Sequence, residues 1–483
     1  MVFSDLFFLF AFIPVFALCY LAGAACDRWL VPQDDGQRSF RCRNLALVLF
    51  SLIFYAWGEP VYVFLMLVCV LLNYLSGLLI DRCDGGRRRW ALALGLAGNI
   101  LILGTFKYCG FIVAQLNSLG IAVSDPKISL PIGISFYTFQ SISYLIDVYR
   151  RQSPVQRHFF GLLLYISMFP QLIAGPIVRY STVAREIHDR RVSSSDLAEG
   201  IWRFLIGLGK KVIVANQLSE ISDQFLVGGL TELSTAGAWI GIVAFTLQIY
   251  FDFSGYSDMA IGMGRCLGFH FNENFNHPYI CRSITEFWRR WHISLGSFFR
   301  DYVYIPMGGN RRHQALNILV VWFLTGLWHG ASWNFVIWGV YFGIIVMLEK
   351  YTLLRVIDRV PRVLLHVYSL LLVIAGWGIF YFDDFGQMTT FFHSFFGQSK
   401  ELFTFVDESA LTDHFWLWVV AILFCMPVRT AVSRLAGRVF GEDGGAMKFV
   451  TFCSRLAVSL VLLALSVSLL VGATNNAFIY TRF

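Results

Sequence analysis

Charged residues are scarce in this chain, and their scarcity argues against a soluble protein. Only 14% of the 483 residues are Asp, Glu, Lys or Arg, whereas soluble domains carry about 25%. Hydrophobic residues make up 57% of the chain, 47 phenylalanines among them, and long apolar runs recur from Leu6 to Gly472. No soluble core of this length needs so much apolar surface. The composition therefore predicts an integral membrane protein that crosses the bilayer many times.

The sequence also lacks the motifs of several other protein classes. The ten cysteines are scattered, with no CxxC pair and no metal-ligand spacing, so we expect no metal site. No phosphate-binding P-loop, dinucleotide-binding fingerprint or zinc motif occurs. The formal net charge is +7, but the basic residues lie in short loops between apolar runs, where such residues set membrane orientation. We expect no nucleic-acid partner and no bound cofactor.

Apolar runs of about 20 residues predict the membrane-spanning helices. No low-complexity linker separates a soluble part, so we predict one membrane-embedded domain over residues 1–483 with an all-α, polytopic fold. Residues 1–22 lack the positively charged N-terminal region of a signal peptide. We therefore interpret them as a retained first helix rather than a cleaved signal. The predicted spans are 3–23, 44–58, 60–80, 90–114, 129–147, 212–227, 236–262, 315–328, 331–349, 363–382, 411–428 and 454–472.

The distribution of basic residues between these spans predicts their orientation. Four arginines follow the first span and four follow the third, whereas the loop at 117–129 holds only Lys127. Loops rich in Lys and Arg remain in the cytoplasm. The same rule places residues 429–448 inside. Both termini are therefore predicted outside the cytoplasm.

Two segments depart from simple alternation. Residues 159–176 are apolar, but basic residues flank them on both sides and Pro170 and Pro176 interrupt the helix. A re-entrant segment satisfies both facts, since irregular backbone at membrane depth is tolerated where protein or a water-filled cavity surrounds it. Residues 315–348 also lie between two basic segments and must form a hairpin.

His329 lies at the tip of that predicted hairpin. The leading arm is about 21 Å long as a helix, which is short for a hydrocarbon core of about 30 Å. The tip therefore stays within the membrane, where an ionisable residue indicates function. The alternative is a histidine bonded to a carbonyl at a helix end near an aromatic belt.

His292 lies in a second polar segment. On a continuous helix over 283–300, one face is predicted to carry Ile284, Trp288, Trp291, His292, Leu295 and Phe299. Such a helix is amphipathic and would lie at the inner membrane interface. From this pattern alone a plain surface anchor, with His292 at its polar edge, is the favoured interpretation.

Two further segments are polar. Asp252 and Asp258 end a long apolar run, and glycines in this run permit close helix approach. Helix packing with capped carboxylates explains the two aspartates better than a catalytic role does. Residues 272–279 are polar and bent by Pro278. They line a site or form a turn, and the pattern leaves both open.

Taken together, these motifs resemble the membrane-bound O-acyltransferase family, and more closely its bacterial alginate O-acetyltransferase branch, which is similar to the D-alanyl transferase of teichoic acid synthesis. The matching segments are 251–264, 274–279, 286–295, 301–310 and 327–339. The resemblance covers most of the chain and is weakest after about Glu349. It implies roughly eleven or twelve transmembrane helices, with re-entrant and interfacial helices around a central catalytic tunnel, and a catalytic motif region at 251–339.

The resemblance also implies roles for single residues. His329 matches the central histidine of the family, and His292 matches a second polar position of this branch. We hypothesise that His329 acts as the general base for the attacking hydroxyl, since neutral imidazole titrates near working pH. His292 would orient His329 or the donor, or help to stabilise the oxyanion. The candidate substrate-binding residues are Arg289, Trp291, Asn274, Tyr279, Trp328 and Asn334.

The expected donor is acetyl-CoA or another acetyl thioester on the cytoplasmic side of a bacterial inner membrane. Its phosphates would bind a set of arginines, although positive-inside bias explains the same set equally well. These are Arg282, Arg289, Arg290, Arg311 and Arg312. The expected acceptor on the outer side is an exported polysaccharide such as alginate or cellulose, or a secreted acetyltransferase partner.

The sequence leaves three alternatives open. In the first, the acceptor is a cell-wall polymer, peptidoglycan or teichoic acid, and not an exported polysaccharide. A transporter that flips an acyl or glycan carrier would suit the re-entrant segment, but the chain shows no inverted repeat and few intramembrane charges. A scaffold for a polysaccharide synthase is the third.

Overall fold

A computed structural model describes residues 1–29, 40–173, 175–428, 430, 432, 434 and 445–473. Over these ranges the chain is helical, without a strand, which confirms the predicted all-α class. Six helices there are long and apolar enough to cross a membrane: Phe8–Trp29, Tyr62–Arg82, Gly85–Ser118, Thr235–Cys266, Arg362–Tyr381 and Phe449–Gly472. Gln314–His329 and Phe415–Phe424 are shorter apolar helices. The total of eleven or twelve spans stays a prediction.

The helices follow the apolar runs of the sequence, and their bounds are these. The N-terminal ones are α1 (Ile13–Trp29), α2 (Arg41–Gly58), α3 (Tyr62–Arg82), α4 (Gly85–Leu103), α5 (Cys109–Ser118), α6 (Ile134–Tyr149), α7 (Phe159–Ser167), α8 (Phe169–Leu172), α9 (Tyr180–Val183) and α10 (Ser194–Gly209). Then come α11 (Asn216–Asp223), α12 (Thr235–Cys266), α13 (Ile284–Arg290), α14 (Ile293–Phe299), α15 (Gln314–His329) and α16 (Trp333–Tyr351). The last are α17 (Leu353–Val356), α18 (Arg362–Tyr381), α19 (Phe385–Phe395), α20 (Phe405–Thr412), α21 (Phe415–Phe424) and α22 (Gly445–Gly472).

The described chain divides into two compact units, and the first comprises Met1–Phe204 and Ser257–Asn272. Its helices α3 and α4 are joined by a buried amide pair, in which Asn73 and Asn99 each donate to the other at 3.0 and 2.8 Å. Paired amides satisfy polar groups that lipid cannot. The single membrane-embedded domain inferred from the sequence stays a prediction.

The predicted break within residues 159–176 is present in this unit. Helix α7 ends at Ser167, and Met168 leaves the helical region with a ψ of 112°. Pro170 then lies in the first turn of α8, where its missing N–H leaves no helical bond unmade. Residues 162–172 are buried. The re-entrant course of this segment through a membrane stays a prediction.

The second unit comprises Leu205–Tyr256 and Glu273–Phe483. Within it α15 and α16 form the predicted hairpin. Their backbones touch at two glycines, since a Cβ on Gly326 would meet the carbonyl oxygen of Phe335 and one on Gly339 would meet that of Trp322. Small residues at such positions let membrane helices approach closely. The hairpin is confirmed, and the glycines explain its tightness.

Gly326→Ala is expected to lower the melting temperature of the purified protein, because the added methyl must push α16 away. Overpacking of this kind costs about 1–3 kcal/mol. Gly110→Ala is the matched control, because a Cβ there has nothing within 4 Å and alanine favours helix. Thermal unfolding in detergent measures both variants. Equal melting temperatures would refute the close approach.

Each of the two carboxylates of α12 is paired with a cation, which the interpretation as capped carboxylates did not specify. Asp252 lies 2.7 Å from Lys211 in the second unit, and both side chains are buried. Asp258 lies 2.9 Å from Arg203 in the first unit. Glycine makes room beside the Lys211–Asp252 pair, since a Cβ on Gly255 would meet the carbonyl oxygen of Gly207. Neither aspartate lines the cavity described below.

Candidate active site

His329 is the last residue of α15 and lies at the tip of the hairpin, as predicted. Gly330 continues in extended conformation, and α16 begins at Trp333. The imidazole is buried among aromatic rings. Its centroid lies 5.0 Å from Trp328, 4.9 Å from Trp338 and 5.3 Å from Phe380. These rings exclude water from the sides of the histidine that they cover.

The continuous interfacial helix predicted over 283–300 is wrong. The segment forms two short helices, α13 and α14, which are separated at Trp291 and His292. His292 has a φ of +44°, in the left-handed region, and its side chain is buried rather than at a surface edge.

The cause of this break is a contact with a distant part of the chain. The N–H of Asn276 donates to the carbonyl of Arg290 at 2.9 Å, and the N–H of Ile293 donates to the carbonyl of Asn274 at 3.0 Å. These bonds satisfy backbone groups that a continuous helix would have paired internally. The helical periodicity of the sequence does not indicate these two hydrogen bonds.

The His292 ring is fixed by polar and aromatic neighbours. Its Nδ1 lies 3.2 Å from Oδ1 of Asn274, and its centroid lies 4.6 Å from Phe253 and 5.7 Å from Trp328. Trp328 therefore touches both histidines. His292 lies outside the six candidate spans, and burial lowers the pKa of its imidazole to about 3. The ring is accordingly neutral at pH 7.

Both histidines line one cavity of about 550 Å³. This is the size of a small-molecule site. Apolar lining comes mainly from Trp288, Trp291, Trp322, Ile318, Val321 and Val346, and three cationic side chains, Arg289, Arg300 and Lys350, also line it. An apolar chamber with two imidazoles and a cationic part can hold a substrate that is uncharged at one end and anionic at the other.

The structure brings together some of the predicted site residues and not others. Arg289 and Trp291 line the cavity with the histidines, and Asn274 and Trp328 contact the histidine rings.

Tyr279 and Asn334 are absent from the cavity lining. The hydroxyl of Tyr279 donates to the carbonyl of Thr246, and the amide of Asn334 donates to the carbonyl of Phe380. Both polar groups thus bond the backbone, which a motif pattern cannot distinguish from substrate binding.

The five arginines expected to bind donor phosphates also separate. Arg289 lines the cavity, whereas Arg282 and Arg290 lie 3.8 and 2.8 Å from the carboxylate of Glu286. Arg311 and Arg312 are exposed and do not line it.

Sequence reasoning missed two cations of the cavity, Arg300 and Lys350. Lys350 Nζ lies 3.4 Å from the Tyr304 hydroxyl and 3.3 Å from Asn310 Oδ1. Both cations lie in stretches where positive-inside bias already explained basic residues, so charge alone gave no signal.

Glu349 is a further residue that the sequence analysis passed over. Its buried carboxylate accepts the backbone N–H groups of Ile284 and Thr285, each at 2.7 Å, and the Thr285 hydroxyl at 2.6 Å. It thereby anchors the first turn of α13, the helix that carries Arg289. The available signal was an acidic residue at the end of an apolar run.

No group of three or more His, Cys, Asp or Glu side chains that could hold a metal ion occurs among the residues that the structure describes.

Comparison with known proteins identifies the family. The model of the membrane-bound O-acyltransferase family matches residues 150–385. A probable alginate O-acetylase of Azotobacter vinelandii is 43% identical over 392 residues, which are 79% of this chain and 75% of the relative.

Two more distant relatives carry names that refer to cell-wall polymers. A peptidoglycan O-acetyltransferase of Helicobacter pylori is 36% identical over 72% of this chain and 70% of its own length. A teichoic acid D-alanyltransferase of Bacillus subtilis is 28% identical over 50% and 67%. The apolar helices, the histidine-lined cavity and these similarities agree: the chain is a multi-pass membrane O-acyltransferase that belongs to the membrane-bound O-acyltransferase family, in its alginate O-acetylase-like branch.

Proposed function

We propose that this protein transfers an acetyl group from a cytoplasmic thioester to a hydroxyl of an exported polysaccharide such as alginate or a modified cellulose. One observation carries the proposal: His329 and His292 line a single cavity that also holds Arg289, Arg300 and Lys350. The similarity to alginate O-acetylases supports the acceptor class. The similarity to a peptidoglycan O-acetyltransferase keeps a cell-wall polymer as the second candidate.

The reaction needs one proton transfer. His329 accepts the proton of the attacking hydroxyl as its oxygen bonds to the thioester carbonyl carbon. The carbon–sulfur bond then breaks, and the departing thiolate takes the proton from the imidazolium. His292 assists by orienting a substrate group. Aromatic walls around His329 favour transfer over hydrolysis because they restrict water.

The donor is bound through its phosphates. Arg289 and Lys350 are the cavity cations that would bind them, and Arg300 lines the cavity while also pairing with Asp301 at 2.7 Å. Charge-assisted bonds to phosphate are among the strongest that side chains make. Acetyl-CoA fits this arrangement, as does an acetyl group on another phosphorylated thiol carrier. The donor is a substrate, so the protein needs no resident cofactor.

The orientation follows the basic loops. The segment of α13 and α14 lies at the cytoplasmic side of the inner membrane, and both termini lie outside. His329 lies toward the outer side by the rise of α15, which has 16 residues and is about 24 Å long. Donor and acceptor would then meet at His329 from opposite sides of a central tunnel. The final acceptor is the polysaccharide itself or a secreted partner that passes the acetyl group on.

The purified protein in lipid nanodiscs tests this activity. Labelled acetyl-CoA is supplied with alginate, cellulose or peptidoglycan fragments, and ester formation on the glycan is measured with and without a periplasmic extract. We expect Arg289→Ala to raise the KM for acetyl-CoA about tenfold or more, since one charged bond is worth about 1.5–3 kcal/mol. Arg312→Ala, outside the cavity lining, serves as the matched control. Absence of any acetyl ester would favour a transporter or scaffold.

A further inference from the structure

The amide of Asn274 is completely buried against the segment that carries His292. Its Oδ1 accepts the backbone N–H of Ser294 at 3.2 Å and the Ser294 hydroxyl at 2.9 Å. The same Oδ1 lies 3.2 Å from His292 Nδ1. Because a backbone N–H can only donate, the amide atom at the centre of this cluster is the oxygen and not the nitrogen.

This orientation fixes the position of the hydrogen on His292. The Ser294 hydroxyl also lies 3.4 Å from Nδ1, but its one hydrogen is directed to Oδ1 at the shorter distance of 2.9 Å. An amide oxygen can only accept, so the ring nitrogen that faces it at 3.2 Å, Nδ1, carries the hydrogen. A neutral imidazole carries a single N–H, and the hydrogen bond made by one nitrogen determines the state of the other. Nε2 on the opposite side of the ring then holds a lone pair.

We propose that Asn274 is a positioning residue that holds His292 in the Nδ1–H tautomer, so that Nε2 accepts a hydrogen bond from an N–H or O–H group of a substrate in the cavity. The inference rests on the proposed function, because it assumes that the cavity binds substrate. It also narrows the role of His292. In this tautomer a neutral ring cannot donate to an oxyanion, so His292 is an acceptor and not part of an oxyanion hole.

The surrounding backbone holds the ring in this position. The N–H of Ile293 donates to the carbonyl of Asn274, and the N–H of Asn276 donates to the carbonyl of Arg290. The two sides of the break at His292 are therefore tied to the same short segment as the amide. Phe253 and Trp328 pack against the ring at steep interplanar angles of 88° and 65°. A flipped ring would place a carbon opposite Oδ1 and lose that bond.

Two substrate groups have the chemistry that Nε2 requires. The acceptor offers hydroxyls, and the donor arm of a CoA-type thioester offers amide N–H groups. The thioester carbonyl offers neither. The KM values for donor and acceptor distinguish these two sources.

Two variants of Asn274 and one control form the test in nanodiscs. Asn274→Leu removes the oxygen at nearly constant volume, and we expect kcat to fall about 100-fold or more, as for other wrong-tautomer histidines. Asn274→Asp keeps an oxygen for Nδ1–H and for Ser294, and we expect kcat within about tenfold of the unmodified protein, since the accepting oxygen is retained. Asn73→Leu removes a buried amide far along the chain, in the pair with Asn99, and should leave kcat unchanged.

The KM values identify the substrate group. A higher KM for acetyl-CoA in Asn274→Leu assigns the bond to a donor N–H, and a higher KM for the glycan assigns it to an acceptor O–H. Equal losses in the Leu and Asp variants, or no loss in either, would overturn the inference.

Nitrogen-15 NMR of histidine-labelled protein provides a test that needs no Asn274 variant. The His292 signals are assigned by their loss in His292→Gln. We expect a directly bonded hydrogen on Nδ1 and none on Nε2, and the reverse would overturn the inference even if Asn274→Leu does not fold. His329→Ala, measured in the acetyl-transfer assay, distinguishes failure of the tautomer inference from failure of the proposed function. If it is inactive while Asn274→Leu is fully active, the tautomer inference fails and the proposed function stands.

Discussion

His329→Ala should lose acetyl transfer by about 10²- to 10⁴-fold in kcat, the contribution expected of a general base. Under the proposed mechanism the loss arises because the imidazole is the group that accepts the hydroxyl proton. The rings of Trp338 and Phe380, which pack against it, carry no group that could replace this base. The measurement is the rate of labelled acetyl transfer by the purified variant. Its melting temperature should stay close to that of the unmodified protein.

A matched control distinguishes loss of a catalytic group from a nonspecific effect of replacing a histidine. His393→Ala removes an exposed histidine on α19 that does not line the cavity, and its rate should be unchanged. His292→Ala should impair transfer less than His329→Ala, or equally if the pair acts as a unit. A folded His329→Ala variant that keeps more than about a tenth of the rate would remove His329 from the mechanism, since a general base contributes far more than that.

Lys211→Met is expected to have the largest effect on stability. It removes the cation that lies 2.7 Å from Asp252, where both side chains are almost fully buried. Removal of one partner from a buried pair leaves an uncompensated charge and costs about 3–5 kcal/mol. Chemical unfolding in bicelles should show this loss, with a lower yield of folded protein.

The double variant Lys211→Met/Asp252→Asn tests the cause. A neutral amide no longer needs the cation, so the double variant should recover most of the lost stability. Glu220→Gln, a change of carboxylate at an exposed position on α11, is the control for loss of charge alone. If the double variant is no more stable than Lys211→Met, the pair is not what holds α12 in place.

The sequence predicted those features whose signals are local. The hairpin of α15 and α16 followed from its length and flanking charges, with His329 at its tip. The interruption near Pro170 followed from the proline. Each of these depends on a few neighbouring residues and the thickness of a bilayer.

The features that the sequence did not predict depend on contacts between distant segments. The break at His292 arises from bonds to Asn274 and Asn276, and Glu349 caps a helix that begins 65 residues earlier in the chain. Periodicity along 283–300 favoured one amphipathic helix because it counts side chains and ignores such backbone partners. The cavity cations Arg300 and Lys350 were hidden for a related reason, since the hairpin brings them to one cavity only after folding.

The central claim is that an acetyl group passes from one face of the membrane to the other through the cavity of His329. The direct measurement uses sealed vesicles in which all copies share one orientation. Labelled acetyl-CoA is supplied only on the face of α13 and α14, and glycan with any secreted partner is supplied only on the opposite face. We predict labelled ester on the opposite face, and none with His329→Ala. Label that reaches only a glycan placed on the donor side would contradict transfer across the membrane, even though the protein would remain an acyltransferase.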